Sequence, residues 1–162
     1  MMDLGSLSPS PTHITNRSVA LAVQDTAGEH STLPYRAPEL FDVKTDSSVD
    51  TKVDIWSLGC TIYACLVGKS PFEARSDETG GSLTMCILGG DWRWPDESGP
   101  VGGRGKAKSQ AQPQDVLTVS DGVKNVVRRC LMVEPSDRPD IDELMHMCEH
   151  VVAGLPADEA ED

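Results

Sequence analysis

The sequence predicts a mainly α fold with a minor strand component (α+β), and three segments carry that prediction. Val53–Val67 is apolar around nearly its whole circumference, broken only by Asp54, Ser57, Gly59 and Thr61, the pattern of a helix buried at the centre of a domain. Ser120 stands as an N-cap before a segment reaching about Met132, in which Val123, Val126, Val127, Cys130 and Leu131 share one helical face. Asp140 and Glu143 have capping-box spacing at the head of a last apolar face of Ile141, Leu144, Met145 and Cys148.

The elements follow in order. Ser6–Arg17 is mostly Ser, Pro, Thr, His and Asn, which favour loops. Val19–Val23 reads as a short β-prone run that Asp25–Gly28 closes as a turn. Pro34 and Pro38 hold Leu33–Leu40 in an extended or turn-like backbone. The central helix spans 53–67, with Gly68 as its terminator and Pro71 just beyond. Ser82–Leu88 forms a shorter helix. From about 95 to 115, Gly, Pro, Ser, Gln and Lys collect without apolar periodicity, which reads as a flexible surface insertion. The last helices are expected over about 120–132 and 140–151, before an acidic tail at 153–162; no internal repeat is evident.

The chain has 162 residues, enough for one domain or part of a larger one. Asp and Glu number 26 against 14 Lys and Arg, for a formal net charge of −12. That balance argues against nucleic-acid partners, which need cations facing phosphates, and against docking on anionic membrane surfaces. No apolar run approaches the roughly 18 residues of a transmembrane segment, and the first residues do not have the pattern of a signal peptide. Five cysteines without a Cys-x-x-Cys pair imply reduced thiols and a cytoplasmic location. Cys60 and Cys65 read as small buried hydrophobes. His146 and His150 stand one helical turn apart, but Cys148 between them faces away, which argues against a zinc site there.

Three separated clusters are more specific: Thr32-Leu-Pro-Tyr35-Arg36-Ala37-Pro38-Glu39, Val53-Asp54-Ile55-Trp56-Ser57-Leu58-Gly59, and Pro135-Ser-Asp137-Arg138-Pro139. In this order and at these spacings they resemble the C-terminal lobe of eukaryotic protein kinases: the Ala-Pro-Glu motif, the Asp-x-Trp-Ser-x-Gly motif and the late arginine. Met2-Asp3-Leu4-Gly5-Ser6, 36 residues before Glu39, resembles the magnesium-binding Asp-Phe-Gly motif with Leu in place of Phe. That variant is similar to the Numb-associated kinases, in the branch of myristoylated and palmitoylated serine/threonine kinases. Leu21–Asp25, Tyr35–Phe41, Asp54–Cys60, Ser70–Phe72 and Gly81–Leu83 are similar to the same branch. The resemblance covers about residues 2–152. It implies a partial kinase domain over 1–152, with an activation segment over 3–39 and with the N-terminal lobe of the protein-kinase-like fold absent.

The resemblance also implies roles. Asp3 would hold the Mg²⁺ that bridges the ATP phosphates, as the cofactor-binding and metal residue. Glu39 and Arg138, about a hundred residues apart, would form a buried ion pair clamping the end of the activation segment; a planar guanidinium suits that role because it holds a carboxylate at two points. Without the surrounding motifs, two unrelated surface charges would be the default reading. Asp54 would accept backbone N–H bonds from the catalytic loop, since an unpaired carboxylate buried in an apolar helix costs several kcal/mol. A carboxylate that simply favours the N-terminal end of the helix dipole is the other reading, and both can hold. Thr32 matches the threonine beside the catalytic aspartate and lysine of serine/threonine kinases, and Thr32, Leu33, Pro34 and Tyr35 would form the loop that receives a peptide substrate. Thr26, Ser31 and Thr32 are candidate phosphosites, or merely solvated hydroxyls.

Phosphoryl transfer also needs a glycine-rich loop, a strand lysine, its helix glutamate, a catalytic aspartate and a metal-binding asparagine, all ahead of the Asp-Phe-Gly position in the kinase order. Gly99–Lys106 does not replace them: Gly105-Lys106 is followed by Ala107, and Pro100 stands where the P-loop pattern needs glycine. The expectation is therefore that an intact relative transfers the ATP γ-phosphoryl to protein Ser or Thr, using ATP and Mg²⁺, whereas the isolated chain binds neither and is inactive. The alternative is a non-catalytic interaction module, a pseudokinase-like docking lobe. Partners would be protein substrates or docking proteins. Uncovered, the central helix would leave the isolated chain poorly stable, aggregation-prone or partner-dependent. Met1 reads as an internal methionine taken for a start. Related kinases reach internal membranes through an acylated N-terminus, and residue 2 here is Met rather than the Gly that myristoylation needs.

Overall fold

A computed structural model of the protein describes residues 7–97 and 119–154. A two-stranded antiparallel sheet joins β1 (Thr12–Ile14) to β2 (Ser47–Val49), with Thr12 opposite Val49. Six helices accompany it among the described residues: α1 (Arg17–His30), α2 (Lys52–Val67), α3 (Pro71–Thr79), α4 (Leu83–Gly89), α5 (Asp121–Cys130) and α6 (Ile141–Ala153).

Val19–Val23 and Asp25–Gly28 are not a strand and turn; both lie inside α1. The cap decides this. Asn16 has an extended backbone, and its side-chain oxygen accepts the Val19 N–H at 3.0 Å, which starts the helix directly ahead of the β-prone run. The turn of helix this creates buries Ala20 against Ile14 and Val43, a small core beneath the sheet. Tertiary packing and a cap outweigh the weak β preference of two valines.

α2 is the centre of the main core. Ile55, Trp56, Gly59, Cys60 and Tyr63 are buried, and Trp56 stacks on Phe72 of α3 with ring centroids 5.2 Å apart. Tyr63 packs against Trp94 at 4.8 Å and donates its hydroxyl proton to the Arg93 carbonyl at 2.8 Å. Gly68 ends the helix in a left-handed conformation, φ +88°, with its N–H on the Ala64 carbonyl. The helix is not covered all round, however. Asp54, Leu58, Thr61 and Cys65, spaced i, i+4, i+7 and i+11, form an exposed stripe. Cys65 is therefore on the surface and not a core residue.

α3 has no counterpart among the expected elements, although its signal was present. Ser70 accepts the Glu73 N–H, Glu73 accepts the Ser70 N–H, and Pro71 occupies the first turn, where it lacks no needed donor. α5 and α6 begin at Ser120 and Asp140, whose side chains accept from Val123 and Glu143. Leu144 of α6 packs with Ile55, Val126 and Cys130. At the start of the expected insertion, Pro95–Glu97 is a 3-10 turn tied to α5 by the ion pairs Asp96–Lys124 and Glu97–Arg128. The rest of that insertion, 98–115, and the tail from 155 lie outside the described residues. No described helix is long and apolar enough to cross a membrane.

Thiol reactivity follows from this packing. Burial pushes the Cys60 thiol up to about 12 and the Cys130 thiol up to about 11, and Cys86 is also buried. Iodoacetamide at pH 8 is expected to alkylate Cys65 and Cys148 in the native protein and the other three only after unfolding. Mass spectrometry of the labelled peptides checks this, and fast labelling of Cys60 would contradict the packing.

Candidate functional site

The segment from Thr32 to Phe41 is built from two 3-10 turns, Leu33–Tyr35 and Pro38–Leu40, each with a proline in its first turn, where a missing N–H is harmless. The first is closed by Tyr35 N–H to Thr32 O at 2.9 Å and Arg36 N–H to Leu33 O at 3.2 Å. Thr32 and Leu33 are exposed, whereas Pro34 and Tyr35 are half-buried. The second turn buries Ala37, Pro38 and Leu40, which seats it on the core and presents Glu39 inward.

Glu39 meets Arg138. Nη1 and Nη2 of Arg138 donate to Oε1 and Oε2 of Glu39 at 2.7 and 2.8 Å, a two-point fork. The Arg138 side chain is 0% exposed and that of Glu39 22%. The remaining three N–H donors of the guanidinium are also used: Nε donates to Met132 O at 2.8 Å, Nη1 to Lys52 O at 2.9 Å and Nη2 to Val133 O at 2.9 Å. Its Cζ lies 4.9 Å from the Trp56 ring centroid, a cation–π contact out of water. In return Lys52 Nζ donates to Arg138 O at 2.7 Å. The fork, α2 and the turn at Pro135–Asp137 are thus one hydrogen-bonded unit.

Ser57 ties the first turn to α2: its hydroxyl proton lies between Tyr35 O at 3.0 Å and Val53 O at 3.1 Å. Arg36 ties the same turn to α1, with Nε on Ser31 Oγ at 2.8 Å and Nη2 on Ser31 O at 3.0 Å and Gly28 O at 3.3 Å. Its guanidinium lies over the Phe41 ring at 5.5 Å. Neither Ser57 nor Arg36 was singled out by sequence reasoning, though both stand inside the quoted clusters. A serine in the interior of an apolar helix was the available signal for Ser57.

The structure brings together Thr32, Leu33, Pro34, Tyr35, Glu39 and Arg138 around the first half of α2, and leaves other site residues apart. Asp54 is exposed in the first turn of α2 and has no hydrogen-bond partner among the described residues. It stands in the first turn, where the helix dipole favours a carboxylate. Thr26 is exposed and donates to Ala22 O at 2.8 Å, while Ser31 is half-buried and donates to Ala27 O at 2.5 Å. Asp3 lies outside the described residues. Among the described residues no group of three or more His, Cys, Asp or Glu could hold a metal ion.

A Glu–Arg fork joining a proline-turned loop to an apolar central helix, with three motif clusters in contact, defines a class. The chain belongs to the protein kinase family, whose protein kinase domain matches residues 15–149. It is 37% identical over 145 residues to serine/threonine-protein kinase ppk13 of Schizosaccharomyces pombe, covering 90% of this chain and 36% of that protein. It is 34% identical over 145 residues to serine/threonine-protein kinase ENV7 of Saccharomyces cerevisiae, covering 90% and 35%. It is 42% identical over 156 residues to serine/threonine-protein kinase 16 of Homo sapiens, covering 96% and 44%. The chain thus spans between about a third and under half of these curated relatives. The family uses ATP and Mg²⁺.

Proposed function

We propose that residues 1–152 are the helical C-terminal lobe of a serine/threonine protein kinase, with the activation segment over 3–39. The branch is that of the myristoylated and palmitoylated Numb-associated kinases. The intact protein transfers the γ-phosphoryl of ATP to Ser or Thr hydroxyls of protein substrates in the cytoplasm. The observation that carries the reading is the contact of clusters 99 residues apart through the Arg138–Glu39 fork. In this reading the fork clamps the end of the activation segment, Thr32–Tyr35 receives the peptide, and Asp3 belongs to the metal site.

Two uncovered stripes support a lobe that belongs to a larger fold. Leu58, Thr61 and Cys65 on α2 are exposed, and so are Ile141, Met145, Cys148 and Val152 on α6, again at i, i+4, i+7 and i+11. Apolar helix faces of this kind are normally covered. The residues of this chain supply no glycine-rich loop or strand lysine of the kinase pattern, so by itself it is expected to be inert.

Two proteins test the reading: the full-length product of the gene, and this chain alone. With labelled ATP, Mg²⁺ and a generic protein substrate, the full-length protein is expected to place label on Ser and Thr, and the chain alone is expected to place none. An inactive full-length protein, or label on tyrosine only, would overturn the proposal. ATP binding or autophosphorylation by the chain alone would overturn its predicted inertness.

A further inference from the structure

We infer that Arg36 and Ser57 are positioning residues that set the loop Thr32–Tyr35 from its two ends, an inference that rests on the kinase reading above. Apart from the packing of Tyr35 against the core, the loop has little to hold it. Two backbone hydrogen bonds close its turn, and Thr32 and Leu33 face solvent. A segment with so few contacts drifts unless its ends are fixed, because loop ordering must offset about 1–2 kcal/mol of backbone entropy per residue.

Both ends are fixed here. At one end the Arg36 guanidinium folds back over the loop to Ser31 and Gly28, so the six residues Ser31–Arg36 form a closed ring. The anchor it grips is the last turn of α1, where unpaired carbonyls concentrate negative partial charge and a cation is favoured. Ser31 completes the joint, since its hydroxyl donates to Ala27 O while accepting from Arg36 Nε. Phe41 lies beneath the guanidinium and restricts its swing. At the other end the carbonyl of Tyr35 accepts from Ser57, 22 residues away on α2. Ser57 already has an acceptor in its own helix, Val53 O. Its hydroxyl therefore needs no second partner, and the Tyr35 contact adds a link across elements. Arg36 bonds the loop to α1 and Ser57 bonds it to α2, beside the packing of Tyr35 against the core around α2.

A loop that receives a peptide works by geometry fixed before binding, and small displacements of such elements reduce productive binding steeply. Losing either brace should weaken peptide use and leave nucleotide use alone, because neither side chain belongs to the metal or nucleotide machinery. Arg36→Gln and Ser57→Ala, made in the full-length kinase, are expected to raise KM for a peptide substrate about three- to tenfold. KM for ATP should stay within about twofold. Ser57→Thr keeps the hydroxyl and should restore the wild-type peptide KM. In the same proteins, hydrogen exchange of the amides over 31–37 is expected to speed up about tenfold, with exchange in 59–67 unchanged. Unchanged exchange over 31–37, or equal effects on both KM values, would overturn the inference. A wild-type protein without kinase activity would overturn the kinase reading instead, and the exchange measurement would still decide whether the two braces hold the loop.

Discussion

Arg138→Lys, which keeps the charge, is expected to destabilise the protein by about 3 kcal/mol, and Arg138→Ala by nearer 5 kcal/mol. All five N–H donors of Arg138 have acceptors: the two carboxylate oxygens of Glu39 and the carbonyls of Lys52, Met132 and Val133. They lie in the plane of the guanidinium fork. A lysine ammonium has three donors on one atom at the end of a flexible stem, so at least two of these acceptors lose their partner. A buried acceptor left unpaired costs about 1–3 kcal/mol, and the flat surface resting on Trp56 is lost as well. Alanine removes every donor and opens a cavity beside a fully buried tryptophan. Because Glu39 is partly exposed, water relieves some of its stranded charge, which keeps the alanine figure from rising further. Urea unfolding followed by tryptophan fluorescence measures both, with a lower midpoint at constant slope as the expected form. If Arg138→Lys costs less than about 0.5 kcal/mol, the two-point fork is not what holds the loop to α2.

How this site is reached from the amino-acid sequence depends on the residue. The apolar run 53–67, the Ser120 cap and the Asp140–Glu143 box are local patterns, and helices lie at each place. Glu39 and Arg138 are different. Nothing in periodicity or composition joins two residues a hundred positions apart, and only the ordered motifs of the kinase resemblance put them side by side. α1 differs from the expected strand because the β preference of Val19–Val23 is local, while the deciding group is the Asn16 side chain three residues before Val19. Ser70 and Glu73 show the opposite case: their capping box is legible, but Pro71 between them also fits the stop of the preceding helix and masks it. Asp54 is exposed on the open stripe of α2 with Leu58, Thr61 and Cys65, a position that follows from the helical spacing rather than from helix composition. Side-chain braces such as Ser57 to Tyr35 carry no pattern of their own. They become visible only when two elements are placed against each other.

Gly59→Ala should destabilise the protein by about 2 kcal/mol and Gly59→Val by about 3 kcal/mol or more, against the order of helix propensity. By propensity alone, alanine in the middle of a sixteen-residue helix gains about 1 kcal/mol over glycine. Space decides the other way. A Cβ at residue 59 would lie 2.6 Å from the Cβ of Cys130 and 3.2 Å from Cδ2 of Leu131. The Cys130 Cβ is attached directly to the α5 backbone and cannot swing aside, so relief requires α2 and α5 to move apart. That separation loosens Trp56, Cys60, Val127 and Leu131, which share one buried cluster. Valine adds two methyl groups toward the same wall, and its restricted rotamers leave no escape. Gly28, in α1, is the control: nothing lies within 4 Å of its added Cβ, and Gly28→Ala is expected to stabilise by about 0.5–1 kcal/mol. A second-site change separates steric conflict from any other effect of Gly59. Cys130→Gly removes the opposing Cβ, so the Gly59→Ala/Cys130→Gly double variant should be more stable than the sum of the two single losses predicts. Strict additivity in urea denaturation would place the cost of Gly59→Ala somewhere other than this contact. The interior glycine of the Asp-x-Trp-Ser-x-Gly cluster is thus accounted for by helix packing, with no catalytic role required of it.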